Sequence, residues 1–144
     1  MIFNTVILNH VHEGRFIGWW QGNQGQTITD YTPKSMIPIR GRPVIDHIVR
    51  FVSKFTCVSE ILIVCENDLF GSQIMNYFEG KDWLFQKKIT FIEDRKNGTG
   101  GALLLCHRFL ETESHFLVWY ADNLCALDIR DLEQKFLTIQ NEEW

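Results

Sequence analysis

No apolar run in this sequence approaches the roughly 18–20 residues that cross a bilayer. Its start, Met1-Ile2-Phe3-Asn4, has no basic stretch leading into a long apolar one. A membrane span and a secretory leader are therefore not expected, and a cytoplasmic location is. There is also no C-x-x-C pair. Cys57, Cys65, Cys106 and Cys125 are widely spaced, and three of them fall inside apolar or helical patterns. Buried, reduced thiols are expected in place of zinc sites or disulfides. Lys and Arg are scattered along a chain of formal charge −4, which argues against nucleic acid or an anionic membrane as the main partner. Small phosphorylated ligands remain open, since they need only one or two local cations. Internal repeats, linkers and low-complexity tracts are lacking too, and 144 residues suit one domain with one core.

What the sequence does contain is alternation. Phe3–Leu8, Ile61–Cys65, Ile89–Ile92 and Phe116–Tyr120 are short runs rich in β-branched and aromatic residues, as expected of strands buried on both faces. Amphipathic stretches separate them. Pro43–Phe55 opens with a proline suited to a first helical turn and carries Val44, His47, Ile48, Phe51 and Val52 at helical spacing. Phe70–Glu79, Thr99–Leu110 and Asp131–Ile139 read the same way, the last through Leu132, Phe136 and Ile139. The pattern predicts an α/β fold: a three-layer, Rossmann-like, mostly parallel sheet with helices on both faces. Ligands of such sheets bind beyond the carboxyl ends of the strands. The segment 9–33 breaks the regularity, with four glycines, the pair Trp19-Trp20 and few aliphatic residues. A loop of that length in a small domain is usually functional or mobile.

Three segments carry a more specific signal. Thr32-Pro33-Lys34-Ser35-Met36-Ile37-Pro38-Ile39 precedes Gly41-Arg42-Pro43-Val44-Ile45-Asp46-His47. Asn97-Gly98-Thr99-Gly100-Gly101-Ala102-Leu103 follows the third predicted strand, and Ala121-Asp122-Asn123, then Leu127-Asp128-Ile129, follows the fourth. In this order, on a βαβ background, they resemble the sugar-phosphate nucleotidyltransferases, the NDP-sugar pyrophosphorylase-like family. That family reads T-P-K-P-L-L-P-I-x-G-K-P-L-I-x-H, L-G-T-A-G-A-L, and an apolar strand ending in G-D with L-D-L beyond. The resemblance spans nearly the whole of 1–144 as one domain but corresponds to the family's N-terminal, nucleotide-binding half. It implies a chain shortened relative to the family, without the part that supplies most sugar contacts and a second metal-binding aspartate.

The resemblance implies transfer of a nucleoside monophosphate from a nucleoside triphosphate to a sugar 1-phosphate, with release of pyrophosphate. The nucleophile is already ionised, so catalysis rests on positioning and on neutralising phosphate charge. By resemblance, Lys34 supplies a point charge to phosphate, and Asp122 is the ligand of Mg²⁺, which favours one or two carboxylates with phosphate oxygens and water. Gly98 and Thr99 open a helix whose backbone N–H groups face the nucleotide. Each residue alone would read as a surface lysine, a turn aspartate or a tight turn. Glu93, five residues before Gly98, stands where the family places a Gln or Glu near the nucleobase. As an acceptor-only group it suits guanine's adjacent N–H donors better than uracil or thymine. The implied partners are a nucleoside triphosphate and a sugar 1-phosphate, with a homo-oligomer compatible with the reading.

The pattern departs most after the first strand, where the family has A-G-G-x-G-T-R-L. Asn9-His10-Val11-His12-Glu13-Gly14-Arg15-Phe16 stands there, keeping Arg15 on the family's arginine but replacing all three glycines. Val11 lacks glycine's backbone freedom, and Glu13 repels phosphate. A second registration, on Gly22-Asn23-Gln24-Gly25-Gln26-Thr27, restores two glycines and loses the arginine. The isolated chain is therefore expected to be weakly active or inactive. A non-catalytic relative with a regulatory or assembly role is the alternative. His10 and His12, lacking a nearby cysteine partner, read as polar loop residues lining the cleft rather than metal ligands. Trp19 and Trp20 read as packing the long loop onto its own domain.

Overall fold

The computed structural model describes residues 3–8, 31–96 and 98–142. In chain order they form β1 (Phe3–Leu8), a 3-10 turn (Lys34–Met36), a hairpin of β2 (Pro38–Ile39) and β3 (Arg42–Pro43), then α1 (Val44–Ser53) and β4 (Val58–Glu66). There follow α2 (Leu69–Phe78), the single-turn α3 (Asp82–Phe85), β5 (Lys88–Asp94), α4 (Gly98–Leu105), α5 (His107–Leu110), β6 (Leu117–Tyr120) and α6 (Ile129–Glu142). The four expected strands pair as neighbours in one parallel sheet of order β5-β4-β1-β6.

Alternation along β4 explains the layers. Successive side chains of a strand point to opposite faces. Ile61, Ile63 and Cys65 join a core with α1 and α2, whereas Leu62 and Val64 join a second core with Ala102, Cys106 and Leu110 of the α4–α5 region. β1 repeats the division through Ile7 and Val6. Two cores on one sheet make the three-layer α/β fold.

Several local expectations are revised. Pro43 does not begin the helix: at φ −55° and ψ 147° it is the extended residue before α1. The first N–H of the helix, on Val44, donates to the Ile37 carbonyl at 3.1 Å, meeting a need that every helix start has. The stretch 99–110 is two helices, not one. Cys106 breaks it with 3-10-type bonds, Cys106 N–H to Leu103 O and Phe109 N–H to Cys106 O, and is itself fully buried. α6 starts at Ile129 because Asp128 Oδ1 accepts from the N–H groups of Arg130 and Asp131. Leu132, Phe136 and Ile139 do not enter the core but stay 44–54% exposed, since β6 is the sheet's edge and only Ile129 of that helix is deeply buried.

The β2–β3 hairpin was not expected. Arg40 and Gly41, at φ +50° and +78°, turn it with both central residues in the left-handed region that two-residue hairpins favour. His47 of α1 anchors it, its Nε2 donating to the Ile39 carbonyl at 2.8 Å.

Candidate functional site

Parallel pairing brings the carboxyl ends of all four strands to one edge of the sheet. Leu8 is level with Val64 and Tyr120, and Glu66 is level with Asp94. α1 runs back against the strands, so its N-terminus lies at this same edge. The Lys34 turn hangs on it through the Val44–Ile37 bond. Pro33 and Ser35 are buried on either side of an exposed Lys34, and Met36 packs on the core. Gln73 of α2 ties the segment down further by donating to the Tyr31 carbonyl at 2.8 Å. Burial of its neighbours holds Lys34 outward.

β5 delivers Glu93, Gly98 and Thr99 through one strand–turn–helix link. Asp94 Oδ1 accepts from the Lys96 N–H at 3.0 Å, turning the chain at once, with Lys96 at φ +59° and Gly98 at φ +70°. A side chain at Gly98 would meet nothing within 4 Å, so glycine is needed there for its backbone and not for space. The same emptiness at Gly100 leaves the first turn of α4 open to a ligand approaching its N–H groups.

Asp122 arrives from the opposite side of the sheet, directly after β6. It is exposed beside a buried Ala121, which takes the place of the family's glycine without strain. The turn is closed by Asn123 N–H to Tyr120 O at 3.1 Å and by the Trp119 indole, which donates to the Asn123 carbonyl at 2.8 Å. Because β5 and β6 are separated by two intervening strands, the residues that follow them are about 14 Å apart along the edge. An elongated ligand is needed to touch both.

Glu93 is exposed and pairs in register with Cys65. Both line a cavity of about 200 Å³ between the ends of β4 and β5 and Met75 of α2. Carboxylates crowd this corner. Glu66 pairs with Lys96 Nζ at 3.0 Å, and Asp68 caps α2 by accepting from Phe70 and Gly71 at 2.9 Å each. Burial opposes ionisation of Asp68, yet the N–H of Gly71, Glu66, the N–H of Phe70 and the Lys96 charge together hold its carboxyl below the usual value. Burial, followed by the charges of Asp68, Asp94 and Glu66, pushes the Cys65 thiol up to about 12. Of these residues sequence reasoning singled out Glu93 and, as an expected buried thiol, Cys65. Asp68 ahead of an apolar helical run is an N-cap signature, whereas the Glu66–Lys96 pair joins residues thirty positions apart and leaves no local trace.

Lys34, Glu93, Gly98, Thr99 and Asp122 thus share the carboxyl edge of the sheet. Arg15, both registrations of the altered glycine loop, His10, His12, Trp19 and Trp20 lie outside the described residues. Cys57, Cys65 and Cys106 are buried, as expected of cysteines within apolar or helical patterns, whereas Cys125 is exposed. Among the described residues no helix is long and apolar enough to cross a membrane.

Residues 24–135 match the family described as the MobA-like NTP transferase domain. Among curated proteins, the chain is similar to the bifunctional protein GlmU of Methanococcus vannielii, 30% identical over 121 residues that cover 83% of this chain and 26% of that one. It is likewise similar to GlmU of Methanocaldococcus jannaschii, 29% identical over 124 residues, 85% of this chain and 28% of that one. The chain therefore spans about a quarter of the length of these relatives. Among solved structures it superposes on the Bacillus anthracis protein assigned as a glucose-1-phosphate thymidylyltransferase, in complex with a sucrose, with a TM-score of 0.74 at 23% identity, over 94% of this chain and 50% of that one. A CMP:2-keto-3-deoxy-manno-octonic acid synthetase complexed with CTP gives a TM-score of 0.58 at 15% identity, over 98% of this chain and 48% of that one. At these identities the two structures speak for the fold alone.

Proposed function

The chain belongs to the MobA-like NTP transferase family, and from that premise we propose that it binds a nucleoside triphosphate along the carboxyl edge of its sheet and forms the nucleotide half of a sugar-phosphate nucleotidyltransferase. The reaction is attack of a sugar 1-phosphate oxygen on the α-phosphorus, with cleavage of the bond to the bridging oxygen and departure of pyrophosphate. The observation that carries the reading is the sharing of one edge by an exposed lysine held between buried neighbours, a glycine-opened helix start and a strand-end aspartate.

In this reading the base end lies at Glu93 and the phosphates lie toward the first turn of α4, whose N–H groups and dipole favour negative charge. Lys34 adds a point charge to the phosphates, and Arg15 is a further candidate for that role. The donor set fits Mg²⁺. Among the described residues no cluster of three or more His, Cys, Asp or Glu side chains could hold a metal, while Asp122 offers one exposed carboxylate, and Mg²⁺ completes such a shell with phosphate oxygens and water. When bound, the ion would neutralise charge on the phosphates.

Calorimetric titration of the chain with each common nucleoside triphosphate and Mg²⁺ tests the reading. Lys34→Ala and Asp122→Ala should each weaken binding by about tenfold, the loss of one charge-assisted contact. Absence of binding by any triphosphate would sink it. Turnover should nevertheless be poor, because His10, Val11 and Glu13 stand where the family has glycines, and one lost charge-stabilising donor can cost roughly 10²–10³ in rate. The same substitutions favour a second reading, a non-catalytic relative that keeps the fold for regulation or assembly. Robust pyrophosphate release from any common sugar 1-phosphate would exclude it.

A further inference from the structure

The outward face of α1 gathers basic residues that are scattered in the sequence. Arg42, His47, Arg50 and Lys54 line one cleft of about 580 Å³ between α1 and α3, with Phe51 and Phe85 among its apolar walls. This differs from the even spread of Lys and Arg expected from the sequence, because the helical repeat places positions 47, 50 and 54 on one side. Among the described residues no Asp or Glu lines the cleft, although acidic residues outnumber basic ones, 18 to 14, in the whole chain. The one acidic residue of α1, Asp46, is fully buried.

Two of these side chains are also held in place. Arg50 Nε is bound to Asp46 Oδ2 at 2.6 Å, and its guanidinium lies 5.2 Å over the Phe85 ring. That fixes the plane of the group and leaves its two Nη nitrogens without a partner among the described residues. His47 spends Nε2 on the Ile39 carbonyl, so its ring is oriented as well. Arg42 and Lys54 are exposed, Arg42 just before α1 and Lys54 just after it, with about 15 Å of helical rise between them. Low-dielectric walls beside charges of one sign focus the field into a cleft, and the volume is that of a small-molecule site.

We propose that this cleft is a second anion site, lined by none of the candidate nucleotide residues Lys34, Glu93, Gly98, Thr99 and Asp122, and that it takes a small molecule with two separated phosphate groups and an apolar or planar middle. One phosphate sits toward Arg42 and His47, the other toward Lys54, with the middle against Phe51 and Phe85 and Arg50 between them. A single phosphate engages one end only and binds more weakly.

Hexanediol bisphosphate and inorganic phosphate are suitable probes, titrated into the isotope-labelled chain and followed by backbone amide shifts. The bisphosphate should perturb Arg42, His47, Lys54 and Gln86. The double variant Arg42→Gln with Lys54→Gln, both exposed and so compatible with the fold, should weaken it by about tenfold or more, the loss of a charge-assisted contact at each end. Lys34→Ala should leave its affinity unchanged, which separates this site from the nucleotide edge whether or not nucleotide binds there. Equal affinity for the double variant, shifts confined to Gly98, Thr99 and Asp122, no binding at millimolar probe, or inorganic phosphate binding as tightly as the bisphosphate would each overturn the proposal.

Discussion

The indole N–H of Trp119 donates to the backbone carbonyl of Asn123 at 2.8 Å, so a core tryptophan fastens the turn that carries Asp122. Trp119 is only 5% exposed and packs against Phe51 of α1 at 5.9 Å between ring centroids, which ties the turn to the helix layer. Trp119→Phe keeps an aromatic ring but removes the donor. It should cost about 1–2 kcal/mol from the lost bond and the smaller ring, and should weaken triphosphate binding with Mg²⁺ several-fold. Asn123→Ala retains the carbonyl and should do neither. Denaturant unfolding with calorimetry on both variants checks this. Unchanged nucleotide affinity in a destabilised Trp119→Phe would leave the bond with a structural role only.

Gly71 sits where α2 meets the end of β4. A Cβ there would lie 1.6 Å from the Glu66 carbonyl oxygen, a contact with backbone that no rotamer relieves. Glycine to alanine inside a helix ordinarily stabilises by about 0.5–1 kcal/mol. Here the sign should reverse. Gly71→Ala should destabilise by about 2 kcal/mol, within the usual cost of overpacking, and should loosen the Asp68 cap and the Glu66–Lys96 pair with it. Thermal unfolding decides between the two signs, and an alanine variant as stable as the parent would show that α2 can move off the strand freely.

The parts of this architecture that were legible are those set by local pattern. β4 could be read because a strand buried on both faces must be apolar throughout, and Ile61–Cys65 is. Gly98 and Asp122 could be placed because each follows such a strand. The exposure of α6 was not legible in the same way. Leu132, Phe136 and Ile139 have a buried helix's spacing, but the helix lies at the sheet edge, and edge position is a property of strand order, not of the helix. The Trp119–Asn123 bond, the Glu66–Lys96 pair and the basic cleft were invisible for a common reason. Each depends on which side chains the fold places together, and the cleft joins Arg42 to Gln86 across three helices and a strand.

Asp68 makes stability depend on acidity. The N–H groups it accepts from, together with Glu66 and Lys96, overcome burial and lower its carboxyl in the folded state relative to the usual 3.8. The folded chain therefore holds that proton less tightly than the unfolded chain does. The associated stability is fully present above the ordinary carboxylate range and is lost as pH falls through the lowered value. Asp68→Asn should remove part of the acid dependence below pH about 4, while retaining some capping. Urea unfolding of both proteins across acid pH tests this, and parallel stability curves would exclude a role for Asp68 in it.

The four thiols should separate by reactivity. The thiolate is the reacting form. Burial holds the Cys106 thiol up at about 11, and burial with nearby carboxylates holds Cys65 at about 12. Cys57 is also buried, with its thiol raised chiefly by that burial. A thiol reagent at neutral pH should label Cys125 rapidly and the other three only on unfolding, and Cys125→Ser should abolish the fast phase. Two or more fast equivalents from the folded chain would contradict the packing at the sheet.

The last prediction concerns the base. Glu93 is exposed at the rim of the cavity of about 200 Å³ that ends the β4–β5 pair, and a carboxylate can only accept hydrogen bonds. Guanine presents two adjacent donors, N1–H and the exocyclic amine, whereas uracil and thymine flank one N–H with carbonyl oxygens that a carboxylate repels. The surroundings sharpen the contrast. Glu66, Asp68 and Asp94 all stand at the same strand ends, with the Lys96 ammonium against Glu66 at 3.0 Å. A base carrying acceptors toward this corner meets unfavourable charge, and one carrying donors meets the reverse. A guanine nucleotide should therefore bind more tightly than a uridine or thymidine one, by about tenfold for a pair of charge-assisted bonds against a repulsive edge. Glu93→Gln supplies both a donor and an acceptor, so it should narrow the preference chiefly by improving uridine binding, without disturbing an exposed site. Calorimetry on both proteins with GTP and UTP separates the possibilities. A preference that survives Glu93→Gln unchanged would remove Glu93 from recognition, and a parent chain that binds UTP more tightly than GTP would reverse the assignment of the base.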